Sequence, residues 1–194
     1  MALSTIESAS RHDLELVALA VAGGRDAFGE LVRRHGGAVR ALLRRMGADG
    51  ALADDLAQDA FLAAFEQIAE FRGEGTFQAW VKRIAARLYV RRWRKDARLD
   101  LMAQTPEAAP DAAPTRAGPE GLIDLDGALS ALSPVERLCV SLCYGAGLSH
   151  AEAALALNAP LGTVKSHVKR GMDKLRLQLA PGKDAPSLES SSHG

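Results

Sequence analysis

Apolar residues recur along most of this chain at intervals of three and four, the repeat of a helix that buries one face. Nowhere do β-branched residues alternate with polar ones over the length of a strand. The spacing predicts a first helix over Asp13 to Ala22, stopped by Gly23-Gly24. A second starts at Asp26 as N-cap and runs through Phe28, Leu31 and Val32 towards His35. Gly36-Gly37 is placed to break or bend it before Val39–Met46. After a loop from Gly47 to Gly50, Asp54-Asp55 open a helix with apolar positions Leu56, Phe61, Leu62, Phe65 and Ile68. Two glycines turn the chain at Phe71-Arg72-Gly73-Glu74-Gly75, and Thr76 caps the next helix. Its stripe is Phe77, Trp80, Val81, Ile84 and Leu88; Arg83, Arg87 and Arg94 share another face, and its end is expected near Asp96.

The pattern fails over residues 99–120, where four of the chain's eight prolines sit among Ala, Asp, Glu and Thr. Such a stretch cannot bury a core and reads as a flexible linker. Helical signals then resume from Leu122 to Leu132. Ser133-Pro134-Val135-Glu136 has the form of a capping box with Pro at the first helical position. The helix that follows buries Val135, Leu138 and Leu142 and stops at Gly145 to Gly147. Ser149-His150-Ala151-Glu152 is a second capping box, its helix running through Leu155 and Leu157. Asn158 to Gly162 is a turn, and Thr163 starts the last helix, with Val164, Val168, Met172, Leu175 and Leu179 in one stripe. Two short helices joined by a tight turn form a helix-turn-helix. The organisation expected is all-α: a helical domain over 10–98, the linker, a second helical domain over 121–181, and a disordered Ser-rich tail over 182–194.

The scarcity of aromatics, 5% against 47% hydrophobic residues overall, agrees with helices rich in Ala and Leu. A net charge of zero argues at first against a nucleic-acid partner, but the charges are not evenly spread. Arg72 to Arg98 holds nine Lys and Arg against Glu74 and Asp96. Thr163 to Arg176 holds five against Asp173, and Leu101 to Ser130 holds five acidic residues against Arg116. Two basic patches thus flank an acidic tether. On the last helix Ser166 and Arg170 face away from the apolar stripe, flanked by Lys165, Lys169 and Lys174. A helix of that kind can enter a DNA major groove while its back packs on a domain. Arg170 and Lys165 can donate to guanine, and Ser166 to several bases or a phosphate. On the upstream helix, Arg72, the Gly73–Thr76 loop, Arg83, Arg87 and the Arg91–Lys95 cluster can hold a single strand by its phosphates. Phe77 and Trp80 lie on the apolar stripe and are expected in the core; Trp93 lies off it.

Other chemistries find less support. Asp54, Asp55 and Asp59 could act as paired carboxylates of a metal-dependent nucleic-acid enzyme, but no matching His or nucleophile accompanies them. Cys139 and Cys143 with His150 or His167 could bind a metal, yet two small buried thiols are the commoner case. No disulfide, metal, cofactor or catalytic residue is expected. Two cysteines at this spacing fit a reducing, cytoplasmic location. No signal peptide and no run long enough to span a bilayer is read. A stand-alone helix-turn-helix regulator remains the main alternative, although it has no use for the upstream basic helix and its Asp-rich neighbour.

Taken in order, these motifs resemble the extracytoplasmic-function group of the bacterial sigma-70 family of RNA polymerase sigma factors. Asp54-Asp55-Leu56-Ala57-Gln58-Asp59-Ala60-Phe61 resembles the family's segment that binds core polymerase. The resemblance assigns contact with the beta and beta-prime subunits to Asp54, Asp55, Gln58, Asp59 and Phe61. Phe71-Arg72-Gly73-Glu74, followed by Phe77, Trp80 and Arg83-Ile84-Ala85, resembles the loop and helix that meet the −10 element. It assigns that role to Phe71, Arg72, Gly73, Glu74, Arg83, Arg87, Arg91 and Arg94. Leu132-Ser133-Pro134, Arg137, Gly147-Leu148-Ser149, Glu152 and Gly162-Thr163-Val164-Lys165-Ser166 resemble the −35-binding domain. Thr163, Lys165, Ser166, His167, Lys169 and Arg170 are its implied DNA contacts. The family usually carries Asn at the position of Arg87 and often Asp at that of Arg91; two cations here retain phosphate contact and bear on base preference. The resemblance implies a non-enzymatic initiation factor for a stress or envelope response, monomeric when free, with promoter DNA, core polymerase and an anti-sigma factor as partners, and no insertion into the membrane.

Overall fold

The computed structural model describes residues 2–103 and 125–179, and every regular element among them is helical. The linker stretch 104–124 and the tail 180–194 lie outside the described residues, and with them the expectations of flexibility and disorder placed there. Helix α1 spans Ala2–Val21, α2 Arg25–Met46, α3 Gly50–Glu66 and α4 Phe77–Ala103, with a 3₁₀ turn over Ile68–Glu70. After the linker come α5 Leu125–Ser130, α6 Pro134–Val140, α7 His150–Leu157 and α8 Leu161–Leu179.

Several boundaries depart from the pattern reading. Helix α2 runs unbroken through Gly36-Gly37. Leu31 and Val39 are fully buried on either side of the pair, and the packing of that face holds the helix where propensity alone would let it break. Its N-cap is Gly24, and Asp26 lies in the first turn. Helix α3 starts earlier than expected because Asp49 is its cap, accepting from the Leu52 N–H at 2.8 Å. Asp54 and Asp55 therefore lie one turn in, with no capping role. Helix α1 begins well before Asp13, α4 runs on to Ala103, α5 ends at Ser130 ahead of the predicted Leu132, and α8 begins at Leu161.

The N-terminal helices pack around Leu31, Val39, Leu43, Phe77 and Val81, each fully buried or nearly so. Small residues of α3 (Ala53, Ala57, Ala60 and Ala64) let α2 and α4 approach it closely. Phe77 is ringed edge-on by Phe28 at 6.5 Å and Phe71 at 5.9 Å, with Trp80 tilted at 5.8 Å. Trp93 is half-buried against the same core. Helix α1 is fastened by buried Asp13, whose Oδ2 lies 2.8 Å from His35 Nε2.

Both predicted capping boxes are formed. Ser133 Oγ accepts from the Glu136 N–H at 3.3 Å while Glu136 Oε2 accepts from the Ser133 N–H at 3.2 Å. Ser149 and Glu152 repeat the exchange at 3.2 and 2.8 Å. Beyond Val140 the α6 helix widens into a π turn over Ser141–Gly145, which no sequence signal announced.

The two helical domains do not merely share a tether. Leu138, Leu142 and Leu148 belong to the same buried cluster as Leu42 and Leu43 of α2. Arg137 donates at the end of α2 to the Arg45 carbonyl at 2.7 Å and to the Arg44 carbonyl at 2.6 Å, which the Gly47 N–H of the C-cap also reaches at 3.0 Å. Ser141 Oγ adds a bond to the Arg45 carbonyl at 3.2 Å, and Asp126 accepts from Arg45 Nε at 3.0 Å.

Candidate functional site

Three surfaces carry the residues that the motifs single out. The first is an apolar groove of about 630 Å³ between α2 and α3, lined by Phe28, Val32, Asp54, Gln58, Leu62 and Phe65 among others. Leu62 and Phe65 are 55% and 42% exposed, a marked display of large apolar side chains on a helix that also has a buried face. Phe65 packs edge-on against Phe28 at 5.0 Å. Asp54 lies on its rim, 3.6 Å from Arg40. Gln58 also lines it. Phe61 lines the groove too, although it is only 6% exposed and also belongs to the core, while Asp55 and Asp59 are exposed outside the groove lining. The motif reading thus passed over Phe28, Val32, Leu62 and Phe65 as site residues. The signal was present in α3, where residues 58, 61, 62 and 65 form an i, i+3, i+4, i+7 set beside the alanine stripe.

The second surface is the Phe71–Thr76 loop with α4. Gly73 and Gly75 take positive φ values of 74° and 86°, which turn the chain back tightly before Thr76 caps α4 through the Ala79 N–H at 3.1 Å. Phe71 is half-buried and rests on Trp80 at 5.4 Å, while Arg72 and Glu74 stand in solvent. Arg83, Arg87, Arg91 and Arg94 are all exposed along α4. They are not equally free. Arg83 donates to the Gly147 carbonyl at 3.1 Å, and Arg94 to that of Ala156 at 3.4 Å. The Ser149 N–H and hydroxyl hold the Glu152 carboxyl below its ordinary range, aided against slight burial by the charges of Arg83 and Arg87.

The third surface is the helix-turn-helix of α7 and α8. Asn158 closes α7 in the left-handed region at φ 52°, a conformation Asn tolerates well, and the Ala159 N–H returns to the Ala154 carbonyl at 3.0 Å. The Pro160 carbonyl then accepts from the Thr163 and Val164 N–H groups, starting α8. Val164, Val168, Gly171 and Leu175 are buried, and Thr163, Lys165, Ser166, Lys169 and Arg170 are exposed on the opposite side. His167 is half-buried, its Nδ1 3.2 Å from an Arg170 guanidinium nitrogen. Ser166 Oγ donates back to the Gly162 carbonyl at 2.9 Å, which leaves the hydroxyl free to accept.

Two members of the expected α8 faces behave differently. Leu179, expected in the buried stripe, is exposed at the edge of a second groove. Lys174, expected to flank the basic face, donates to Glu136 Oε2 at 2.7 Å. Burial opposes ionisation of Glu136, but Lys174 and the Ser133 cap outweigh it and hold the carboxyl below its ordinary value. One buried carboxylate therefore closes the α6 cap and pins α8 to it.

Cys139 and Cys143 are both free thiols. Burial, with the neighbouring Cys143 adding to it, pushes Cys139 up to about 11, and burial raises Cys143 as well. Among the described residues no three His, Cys, Asp or Glu side chains gather as a metal site, and no helix is long and apolar enough to cross a membrane.

Family models match two stretches of the chain. Sigma-70 region 2 matches residues 31–99 and Sigma-70 region 4 matches residues 128–177. The ECF RNA polymerase sigma factor SigM of Mycobacterium tuberculosis is 34% identical over 165 residues, covering 85% of this chain and 83% of SigM. The ECF RNA polymerase sigma factor SigE of Mycolicibacterium smegmatis is 34% identical over 161 residues, which span 79% of this chain and 62% of that longer relative. Among solved structures, CnrH in complex with the cytosolic domain of CnrY matches with a TM-score of 0.51 at 29% identity, over 87% of this chain and 97% of that one. The sigma factor RpoE of Bartonella quintana, solved with the anti-sigma factor NepR, matches with a TM-score of 0.51 at 27% identity, over 78% of this chain and 96% of that one. With region 2 built around α2 to α4 and region 4 around the capped helices α6 to α8, this chain belongs to the extracytoplasmic-function group of sigma-70 family RNA polymerase sigma factors.

Proposed function

We infer that this protein directs core RNA polymerase to particular promoters and starts transcription there, without covalent chemistry of its own. The observation that carries the reading is the presence in one chain of an apolar groove on α3, a cationic α4 and a separate basic recognition helix. A stand-alone helix-turn-helix regulator would use only the last of these. The groove fits a helix from core polymerase: Leu62 and Phe65 offer apolar contact, and Asp54 and Gln58 offer polar contact at its rim. Asp55 and Asp59 extend the same helix face with negative charge. Helix α4 supplies phosphate contacts to the −10 strand through Arg83, Arg87, Arg91 and Arg94, and Arg72 and Glu74 of the loop lie where an unpaired base could be held. Helix α8 reads the −35 duplex through Lys165, Ser166, Lys169 and Arg170, with Thr163 and His167 at its flank. The solved relatives bound to CnrY and to NepR support an anti-sigma partner for this chain also, and a cytoplasmic location and a monomeric free state follow from this role.

Run-off transcription with purified core polymerase on a pool of promoters tests the reading. Core enzyme plus this chain is expected to start at defined sites that core enzyme alone ignores. Equal transcript profiles with and without the chain would remove it. Phe65→Ala should weaken co-purification with core polymerase, whereas Arg170→Ala should leave it intact and relax one base of the −35 element by about 1–3 kcal/mol.

A further inference from the structure

We propose that Glu136 is a positioning residue for base readout by α8: from the scaffold helix α6 its carboxylate, together with His167, orients the Arg170 guanidinium so that its outer edge is presented to guanine in the −35 duplex. The proposal rests on the −35 assignment above and names what sets the specificity of that same surface. Glu136 is 6% exposed, and its Oε2 is already engaged, accepting from the Ser133 N–H at 3.2 Å and from Lys174 Nζ at 2.7 Å. Its other oxygen, Oε1, lies 4.0 Å from Arg170 Nε. Lys174 and the Ser133 cap hold the carboxyl below its ordinary value against burial, so it carries a full negative charge at neutral pH. Asp173, the acidic side chain on α8 itself, is taken by Lys169 at 3.3 Å and by Arg176 at 3.0 Å. The fold brings Glu136 to Arg170 through the residue that follows it. A Cβ added at Gly171 would lie 2.7 Å from Val140 Cγ2 and 3.6 Å from Glu136 Cβ, so a side chain there would push α6 and α8 apart.

The two contacts fall on one side of the guanidinium. Arginine donates and never accepts, so the 3.2 Å contact between Arg170 Nη2 and His167 Nδ1 makes Nδ1 the acceptor and places the ring proton on Nε2. Nε and Nη2 form one edge of the planar fork, and both are directed to protein groups. Nη1 and the second hydrogen of Nη2 form the other edge, on a side chain that is 59% exposed. Two parallel N–H groups of that kind match O6 and N7 of guanine. A fork already held in one orientation loses less freedom when it binds. The charge acts as well as the geometry. Sequence-independent binding is the attraction of cations to phosphates, and a carboxylate behind Arg170 weakens that attraction without blocking the outer hydrogen bonds. Glu136 therefore lowers affinity for DNA in general while it raises the preference for guanine. A purely structural role would move both in the same direction.

Holoenzyme assembled from core polymerase and the full chain can be made to capture promoter duplexes randomised across the −35 element, the rest of the sequence being that of a promoter found by run-off transcription. Sequencing the captured fraction reads the preference at each base pair. Wild type should enrich guanine at one position, and Arg170→Ala should lose that enrichment. Glu136→Gln keeps the size of the side chain and an acceptor for the cap; it should lower the enrichment by about threefold to tenfold, part of what a bidentate pair supplies. Fluorescence anisotropy of the full chain on a mixed-sequence duplex should show this variant binding as tightly as wild type, or up to about twofold more tightly. Lys174→Met removes the other partner of Glu136. It should lower the melting temperature, read by circular dichroism, and keep the guanine preference. His167→Ala should relax the same position as Glu136→Gln, and His167→Gln, whose carbonyl also accepts, should restore it.

The proposal is overturned by an unchanged guanine preference in Glu136→Gln or in His167→Ala. It is overturned equally if Lys174→Met loses as much preference as Glu136→Gln, which would trace the effect to stability, or if Glu136→Gln weakens mixed-sequence binding. Should Glu136→Gln lose its helical signal, the comparison of His167→Ala with His167→Gln decides the matter. Arg170→Ala separates this from the reading beneath it. If that variant keeps every base preference, the −35 assignment falls and the proposal with it. If it relaxes one base while Glu136→Gln relaxes none, the assignment stands and the positioning role is lost.

Discussion

At the scale of single residues, Glu136 shows how one side chain can serve two elements. Its carboxylate is 6% exposed and satisfies the α6 cap and Lys174 together. Glu136→Ala leaves the lysine without its partner and should cost about 2 kcal/mol in the region 4 domain, measured by thermal or urea unfolding of the full chain. The pH dependence follows from the direction of the shift. Glu136 and Glu152 are held below their ordinary value of 4.5 when folded, so their contribution is complete above that value and fades as pH falls through the folded one. The melting temperature should therefore drop on acidification below about pH 4.5, and Glu136→Gln should flatten part of that drop. Gly171 is a second sensitive point, because its missing Cβ would come within 2.7 Å of Val140 Cγ2. Gly171→Ala should overpack the α6–α8 contact and cost about 1–3 kcal/mol by the same unfolding measurement. Cys139, raised to about 11, should resist alkylation by iodoacetamide at neutral pH until the domain unfolds.

At the scale of elements, what could be read from the pattern depended on whether the signal was local. The two capping boxes were legible because Ser, Glu and the three-residue spacing contain the whole geometry, and Ser149→Ala should lower stability by about 1 kcal/mol through the lost cap. The buried stripes were legible in part: Phe77 and Val81 of α4 and Val164, Val168 and Leu175 of α8 are buried as expected, whereas Trp80, Ile84 and Leu88 are half-buried and Ala85, Ala86, Tyr89 and Val90 fill the α4 core instead. Gly36-Gly37 misled because a local preference met a face already buried on both sides of it. Asp49 was passed over as a cap because Asp54-Asp55 offered a stronger but misplaced acidic signal. In the α3 groove, the acidic motif drew attention to Asp55 and Asp59, whereas the lining includes Phe28 and Val32, residues of another helix whose part depends on tertiary packing. No periodicity could have indicated the π turn at Ser141–Gly145, whose first residue bonds to the end of α2.

At the scale of the whole molecule, an average charge of zero concealed two cationic surfaces, and a Pro-rich linker left open how the two halves sit relative to one another. The halves share one buried cluster, an outcome that depends on contacts between residues more than ninety positions apart, such as Arg137 with Arg44. Strand binding should be strongly salt-dependent, with the slope of log affinity against log salt reduced by about 0.7 for each α4 arginine removed; titration of Arg91→Ala against wild type measures it. The contact between the two halves has a consequence for how the protein can evolve. Among the described residues, Arg83, Arg94, Arg137 and Ser141 each donate across it from a side chain to a main-chain oxygen, at Gly147, Ala156, Arg44 and Arg45. A main-chain oxygen survives almost any replacement of the residue that carries it. Drift on the accepting side is therefore free, compensating exchanges are never required, and a search for paired substitutions across diverged relatives would pass over this contact even in lineages that retain it.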